Sequence, residues 1–387
     1  MAKKAQSTQA TQATSKSGAY FIGKYVSDIA YVVTASALSQ SHAIMLGAAG
    51  RGKTDITLAT MRQIITGENI ATDAVSMVRF EPTKTPDVIL GTPDPAVVLD
   101  ATLTPKERTR RIIDGTVYDP SVKFCIYDEI GRANDAIFDA ALDPLDRKDT
   151  RNGATIVATS NFMPTTERVQ AFIDRIALWH WVRAEGVDER ELVRAQLLGR
   201  KSGLKVDYDL PTWDTIEQVR RADAGERSVS AVQDVVETLA TEARKSGLSV
   251  HPRRLTQWAS LVYSMGVFYS GDADFATVDE RATRVLRYAM PSLTQEQATE
   301  WDLIAQSIVD AVGSQIDAIR TQAYEYFQKV AQSDASERTQ LITTLGKFLV
   351  DTHTSLKQVG GNDARVQETI DETTQWMGLA VQGKPLV

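Results

Sequence analysis

Apolar positions along the chain follow two regimes. From Tyr20 to about Val182, short apolar runs alternate with stretches of helical periodicity. The runs HAIML, VSMVRF, KFCIYD, ATIVATS and RIALWHWV are too short, and too rich in β-branched and aromatic residues, for buried helices, so they predict strands. Strands alternating with helices predict an α/β unit with a mostly parallel sheet covered on both faces. After Asp188 the strand patterns stop. Residues 188–199, 212–222, 228–245, 252–269 and 277–290 carry helical patterns, broken at Gly203, Gly225 and Gly247, which predict a separate small helical domain. From about Pro291, Trp301, Ile304, Ile308, Val312, Ile316, Ile319, Ala323, Phe327 and Val330 recur at steps of three or four residues. That stripe predicts one long amphipathic helix, with two more around 338–358 and 364–380. The opening segment AQSTQATQATSKSG holds too few large apolar groups to offset the entropy of ordering it. The expected organisation is a disordered tail over 1–18, an α/β domain over 19–186, a helical domain over 187–290 and a helical module over 291–387.

Composition narrows the function. The 387 residues are ordinary globular usage, with 43% hydrophobic and 24% charged residues. The net charge of −7 argues against the basic excess of non-specific nucleic-acid binders, so nucleic acid is not an expected partner. Residues 291–387 carry 13 acidic and 7 basic residues, so most of the negative charge lies there. A basic run, Lys106, Arg108, Arg110 and Arg111, is interrupted by Glu107 and reads as a solvated helix face. No apolar run is long enough for a membrane span. The first 19 residues lack the apolar core of a secretory signal, so a cytoplasmic location is expected. Cys125 is the single cysteine, and with four His it makes a structural metal site unexpected.

Residues 47–54 read GAAGRGKT, which satisfies G-x-x-x-x-G-K-[ST] and lies between the expected strand HAIML and a helix starting near Lys53. Gly47, Gly50 and Gly52 permit a tight loop in which Ala48, Ala49 and Arg51 also turn backbone N–H groups inward, and the helix N-terminus adds its positive dipole end. Lys53 would reach the β and γ phosphates of ATP, and the Thr54 hydroxyl would coordinate Mg²⁺. An apolar strand ending in paired acids, KFCIYDE at 123–129, supplies Asp128 for Mg²⁺ and Glu129 to accept a proton from attacking water. The strand ATIVATS ends at Asn161, a neutral amide of the kind that orients water beside a γ-phosphate.

With these strings in place the chain resembles the AAA+ ATPases, and among them the MoxR family. The resemblance covers roughly residues 20–290 and rests on GAAGRGKT, RFEPTKTPDVILGT at 79–92, GTVY at 115–118, YDEIGRA at 127–133, ATSN at 158–161, IDR at 173–175 and HPRR at 251–254. It implies a P-loop core with a five-stranded parallel sheet, a helical lid, and nucleotide bound at the interface of a hexameric ring. It also implies that Asn161 is sensor 1, that Arg175 is the arginine finger offered to a neighbour, and that Arg253, or else Arg254, is the lid residue contacting the γ-phosphate. Lys84 to Gly91 would fall on the insert facing substrate, or form a plain surface loop. The implied role is remodelling of a protein partner, with a von Willebrand factor A domain protein as adaptor. A nucleic-acid motor and a purely structural ring use the same core and remain alternatives. The chain departs from the family pattern at Gly131, where Asn is usual, and at ATSNF in place of ATQNP. The stretch between Leu145 and Ala154 is also too short for the usual hairpin. Residues from 291 onward match no family motif and suggest an oligomerisation or docking module.

Overall fold

The structure, a computed structural model, describes residues 20–21, 24–99, 102–104, 111–113, 116–146, 153–182, 205–206, 208–306, 327–330, 338, 341–347, 349–350 and 364–381. The tail over 1–18, the helical pattern 188–199, most of the basic run and most of the stretch between Leu145 and Ala154 lie outside them.

A two-residue strand, β1 (Tyr20–Phe21), and a long helix, α1 (Lys24–Leu38), precede β2 (Ala43–Leu46), α2 (Lys53–Thr66) and β3 (Val75–Arg79). Then come α3 (Asp87–Leu90), β4 (Thr92–Pro93), α4 (Pro95–Val98), β5 (Arg111–Ile112), β6 (Phe124–Asp128), α5 (Asp135–Asp146), β7 (Thr155–Ser160), α6 (Glu167–Ile173) and β8 (Leu178–Trp181). The main sheet has the order β3-β6-β7-β2-β8 with every pairing parallel. β2, β6 and β7 are buried at every position, as central strands covered on both faces must be. β3 lies at the edge and is half polar, which is why its pattern alternates. Successive residues point to opposite faces. Ala43, Met45, Phe124, Ile126, Val157 and Leu178 therefore pack with α1 and α2, whereas Ile44, Leu46, Cys125, Tyr127, Ile156 and Trp179 pack with α5 and α6. This is the five-stranded P-loop α/β core, with helices after it, that the sequence leads one to expect.

The later helices are α7 (Trp213–Arg221), α8 (Glu226–Lys245), α9 (Pro252–Ser270) and α10 (Glu280–Thr283), the last continuing as a 3₁₀ turn over Arg284–Tyr288. Strand structure does not end at Asp188: β9 (Lys205–Val206) pairs in parallel with β1. The helical region shares one continuous core with the α1/α2 face of the sheet, in which Trp258, Leu261 and Leu286 are fully buried. Its docking is specific. The Trp258 indole donates to the Ala289 carbonyl at 2.7 Å, and Arg220 reaches the Ala37 carbonyl at 2.7 Å while its guanidinium lies over Trp213.

The expected boundary at 291 cuts through a contact. Trp301, 2% exposed, stacks on Trp258 with ring centroids 5.5 Å apart and donates to the Leu286 carbonyl at 2.8 Å. The start of the long apolar stripe thus belongs to the core that the helical region shares with the sheet. Phe327, Val330, Leu345 and Leu349 form a separate cluster, against which Trp376 and Met377 of the C-terminal helix Ala364–Val381 pack. Residues 307–326 of the stripe lie outside the described residues.

Candidate nucleotide site

The carboxyl ends of the parallel strands all open on one edge of the sheet, where ligands of such folds bind. Register fixes what meets there. Leu46 pairs with Ser160, so Gly47 and Asn161 follow side by side; Tyr127 pairs with Ala158, so Asp128 lies opposite Thr159. Gly47 has φ 141° and passes so close to β8 that a Cβ would lie 2.8 Å from the Val182 carbonyl oxygen. No other residue fits there. Gly52, at φ 68°, turns the chain into α2, whose first N–H groups face the loop.

Lys53 is buried, and its ammonium donates to the carbonyls of Gly47 at 2.7 Å and Ala48 at 2.9 Å and to Asn161 Oδ1 at 3.0 Å. Burial lowers its pKa, and the carboxylates of Glu129 and Asp128 work against that shift. Thr54 Oγ1 donates to Asp128 Oδ1 at 2.6 Å, bringing together two residues 74 apart in sequence. Thr159 Oγ1 donates to the same oxygen at 2.7 Å, and Arg79 Nε lies 3.3 Å from the other. Asn161 donates through Nδ2 to both Glu129 oxygens, at 3.2 and 3.3 Å. Its amide orientation is fixed by its neighbours, since an ammonium must find the oxygen and a carboxylate the nitrogen.

Glu129 itself is left-handed, with φ 58° and ψ 39°. That conformation costs a non-glycine residue about 1–2 kcal/mol. Backbone bonds on both sides hold it: its N–H donates to Thr159 Oγ1 at 3.3 Å and its carbonyl accepts from Arg132 at 2.9 Å. The turn swings Glu129 out of β6 to lie beside Asn161, while Asp128 stays buried beneath the loop.

The hard oxygens of Thr54 and Asp128, adjacent and beneath a phosphate loop, suit Mg²⁺, which takes one or two protein ligands and fills its shell with phosphate and water. Among the described residues no group of three His, Cys, Asp or Glu could hold a metal without such help.

Gly131 and the segment after Asn161, two of the three departures noted in the sequence, meet at one place. A Cβ on Gly131 would collide with the Phe162 carbonyl and the Ser160 hydroxyl, which already accepts the Gly131 N–H at 3.2 Å. The chain after Asn161 therefore crosses directly over the turn after Glu129, and only glycine leaves it room. Gly131→Ala should cost about 1–3 kcal/mol by overpacking. Urea denaturation would read this as a lower midpoint with an unchanged slope. Nearby, Lys84 to Gly91 forms an exposed turn and α3, and Asn134 Nδ2 donates to the Pro82 and Lys84 carbonyls at 3.1 and 2.9 Å.

The two sequence-predicted arginines are not at this edge. Arg175 follows α6 just before the sheet's opposite edge, where the Ala177 N–H donates to the carbonyl of His42, the residue preceding β2. Its guanidinium donates to the Ala171 carbonyl at 2.7 Å and pairs with Asp146 at 2.6 Å. The HPRR pair divides. Arg254 is buried, donates to the Ile176 carbonyl at 2.8 Å, and has its pKa lowered to about 10 by that burial, with Asp174 opposing the shift. It anchors α9 to the sheet. Arg253 is half-exposed and reaches Asp146 at 3.5 Å. Docking of α9 on the loop before β8 puts Arg253 at that end of the sheet, with the length of β2, about 13 Å, between it and the phosphate loop. Sequence reasoning missed Thr159, whose signal was its place two residues before Asn161, on the same strand face. It also missed Arg79, in register with Asp128.

No protein-family model matches the chain. No curated protein matches it either. Among the solved structures, 47 chains match. One is a DNA polymerase III gamma subunit-related protein from Thermotoga maritima, at 10% identity and a TM-score of 0.23, covering 92% of this chain and 100% of that one. So low a score carries no argument; the fold rests on strand order, register and loop geometry. No helix among the described residues is long and apolar enough to cross a membrane.

Proposed function

We propose that the chain is a Mg²⁺-dependent ATPase of the AAA+ type. The observation that carries this reading is the contact of Thr54 with Asp128 beneath a phosphate loop whose lysine is tied through Asn161 to Glu129. Backbone N–H groups of 47–54 and the start of α2 cradle the phosphates, and Lys53 exchanges its loop carbonyls for β and γ oxygens. Thr54 and Asp128 hold the metal, which when bound offsets charge on the β and γ phosphates. Glu129 takes the proton of the attacking water, and Asn161, bonded to both Lys53 and Glu129, keeps base and phosphate in one geometry. Measuring ATP turnover with and without Mg²⁺ tests the reading; a folded protein that neither binds nor hydrolyses ATP would overturn it.

The sequence motifs support a MoxR-like member acting in the cytoplasm as a homo-oligomeric, hexameric ring that remodels a protein partner through a von Willebrand factor A domain adaptor. The placement of Arg175 supports the ring. Its side chain sits at the edge remote from its own phosphate loop, so it would serve a neighbour's site. Arg175→Ala should bind ATP normally and turn over about a thousandfold more slowly. Mixing it with Glu129→Gln subunits should restore turnover, since some interfaces then pair an intact Glu129 with an intact Arg175. No gain from any mixture would count against action in trans.

A further inference from the structure

One carboxylate joins the two arginines. Asp146 Oδ2 takes Arg175 Nη2 at 2.6 Å, while Oδ1 lies 3.5 Å from Arg253 Nη2. Arg175 belongs to the α/β core and Arg253 to the first turn of the lid helix α9, so Asp146 is where core and lid cations meet. Asp146 closes α5, where the negative end of the helix dipole disfavours an acid. The carboxylate is therefore not there for the helix. Nor is it a strong clamp, because Asp146 is 44% exposed and Arg253 49% exposed, and ion pairs so hydrated stabilise little. Its consequence is geometric. Two guanidiniums brought together alone would repel, whereas two around one carboxylate keep a single net positive charge and a fixed spacing. The Ala171 carbonyl holds Arg175 from the other side, so its rotamer is set by two acceptors.

We propose that Asp146 is a positioning residue that holds Arg175 and Arg253 as one unit, presented to the terminal phosphate bound by a neighbouring subunit. This rests on the reading of Arg175 as acting in trans, and it makes lid placement a condition for a neighbour's turnover.

The test uses the full chain. Asp146→Asn keeps the shape and removes the charge. It should leave ATP affinity and melting temperature near the parent values and lower kcat about tenfold or more, with Asp146→Glu recovering most of the loss. Mixing assigns the defect to a side of the interface. Asp146→Asn with Glu129→Gln should regain turnover, because one subunit keeps its base and the other its arginines. Asp146→Asn with Arg175→Ala should not, because both fail on the same side. An unchanged or raised kcat for Asp146→Asn, or a gain on mixing it with Arg175→Ala, would overturn the proposal. So would failure with Glu129→Gln while Arg175→Ala is rescued by the same partner. If Arg175→Ala is itself not rescued, the trans reading falls first and takes this proposal with it.

Discussion

Lys53→Ala is expected to abolish ATP binding at concentrations that saturate the parent. In the structure the ammonium is buried and satisfied by three acceptors, the Gly47 and Ala48 carbonyls and Asn161 Oδ1. Burial lowers its pKa, and the nearby carboxylates Glu129 and Asp128 oppose that shift. On the proposed reading a cation so placed would face anionic phosphate with little water between them, and removing one partner of such a pair costs about 3–5 kcal/mol. That is a loss of roughly a hundredfold to a few thousandfold in affinity. Alanine also strands two loop carbonyls and leaves Glu129 and Asp128 with no opposing charge from Lys53, which repels a nucleotide further. Calorimetric titration with ATP and Mg²⁺ checks the outcome. An affinity within threefold of the parent would show that Lys53 is only a loop staple.

The five strands were legible because central parallel strands are short, continuously apolar runs bounded by turns, and β2, β6 and β7 are buried at every position. RIALWHWV over-ran its strand at the front because Arg175 to Ala177 form the loop that receives α9, a tertiary fact without a local pattern. β1 with β9 and β4 with β5 are two-residue ladders, too short for any periodicity to show. The pattern over 277–290 reads as a helix, yet the chain forms one helical turn and then 3₁₀, since Tyr31 claims the Arg281 carbonyl and Arg284 pairs with Asp28.

Legibility of the site fell along the same line. The phosphate loop, Asp128, Glu129 and Asn161 were readable, since each sits at a strand end with a chemistry its local sequence declares. Thr159 was hidden inside an apolar string, although it donates to Asp128 and accepts from Glu129. Arg253 and Arg254 were indistinguishable by type, and only burial separates the anchor from the exposed cation. Trp301 read as the start of a new stripe, while its ring stacks on Trp258 in the core shared by the helical region and the sheet.

Glu129→Gln should bind ATP about as tightly as the parent and hydrolyse it about 10²–10⁴-fold more slowly. The backbone of position 129 is held left-handed by bonds to Thr159 and Arg132 that do not involve the carboxylate, so glutamine inherits the same outward-facing position. Asn161 Nδ2 now bonds both oxygens of Glu129; it would keep one bond, to the glutamine oxygen, and lose the other. The contacts of Lys53, Thr54 and Asp128 are untouched, which is why binding survives. What disappears is the only group at this position able to take a proton from water, and an amide nitrogen cannot replace it. Single-turnover measurements separate the step from product release: nucleotide recovered from Glu129→Gln should be ATP, where the parent yields ADP. Turnover near the parent rate would mean that another group accepts the proton, and the assignment of Glu129 would fall while the phosphate loop stood.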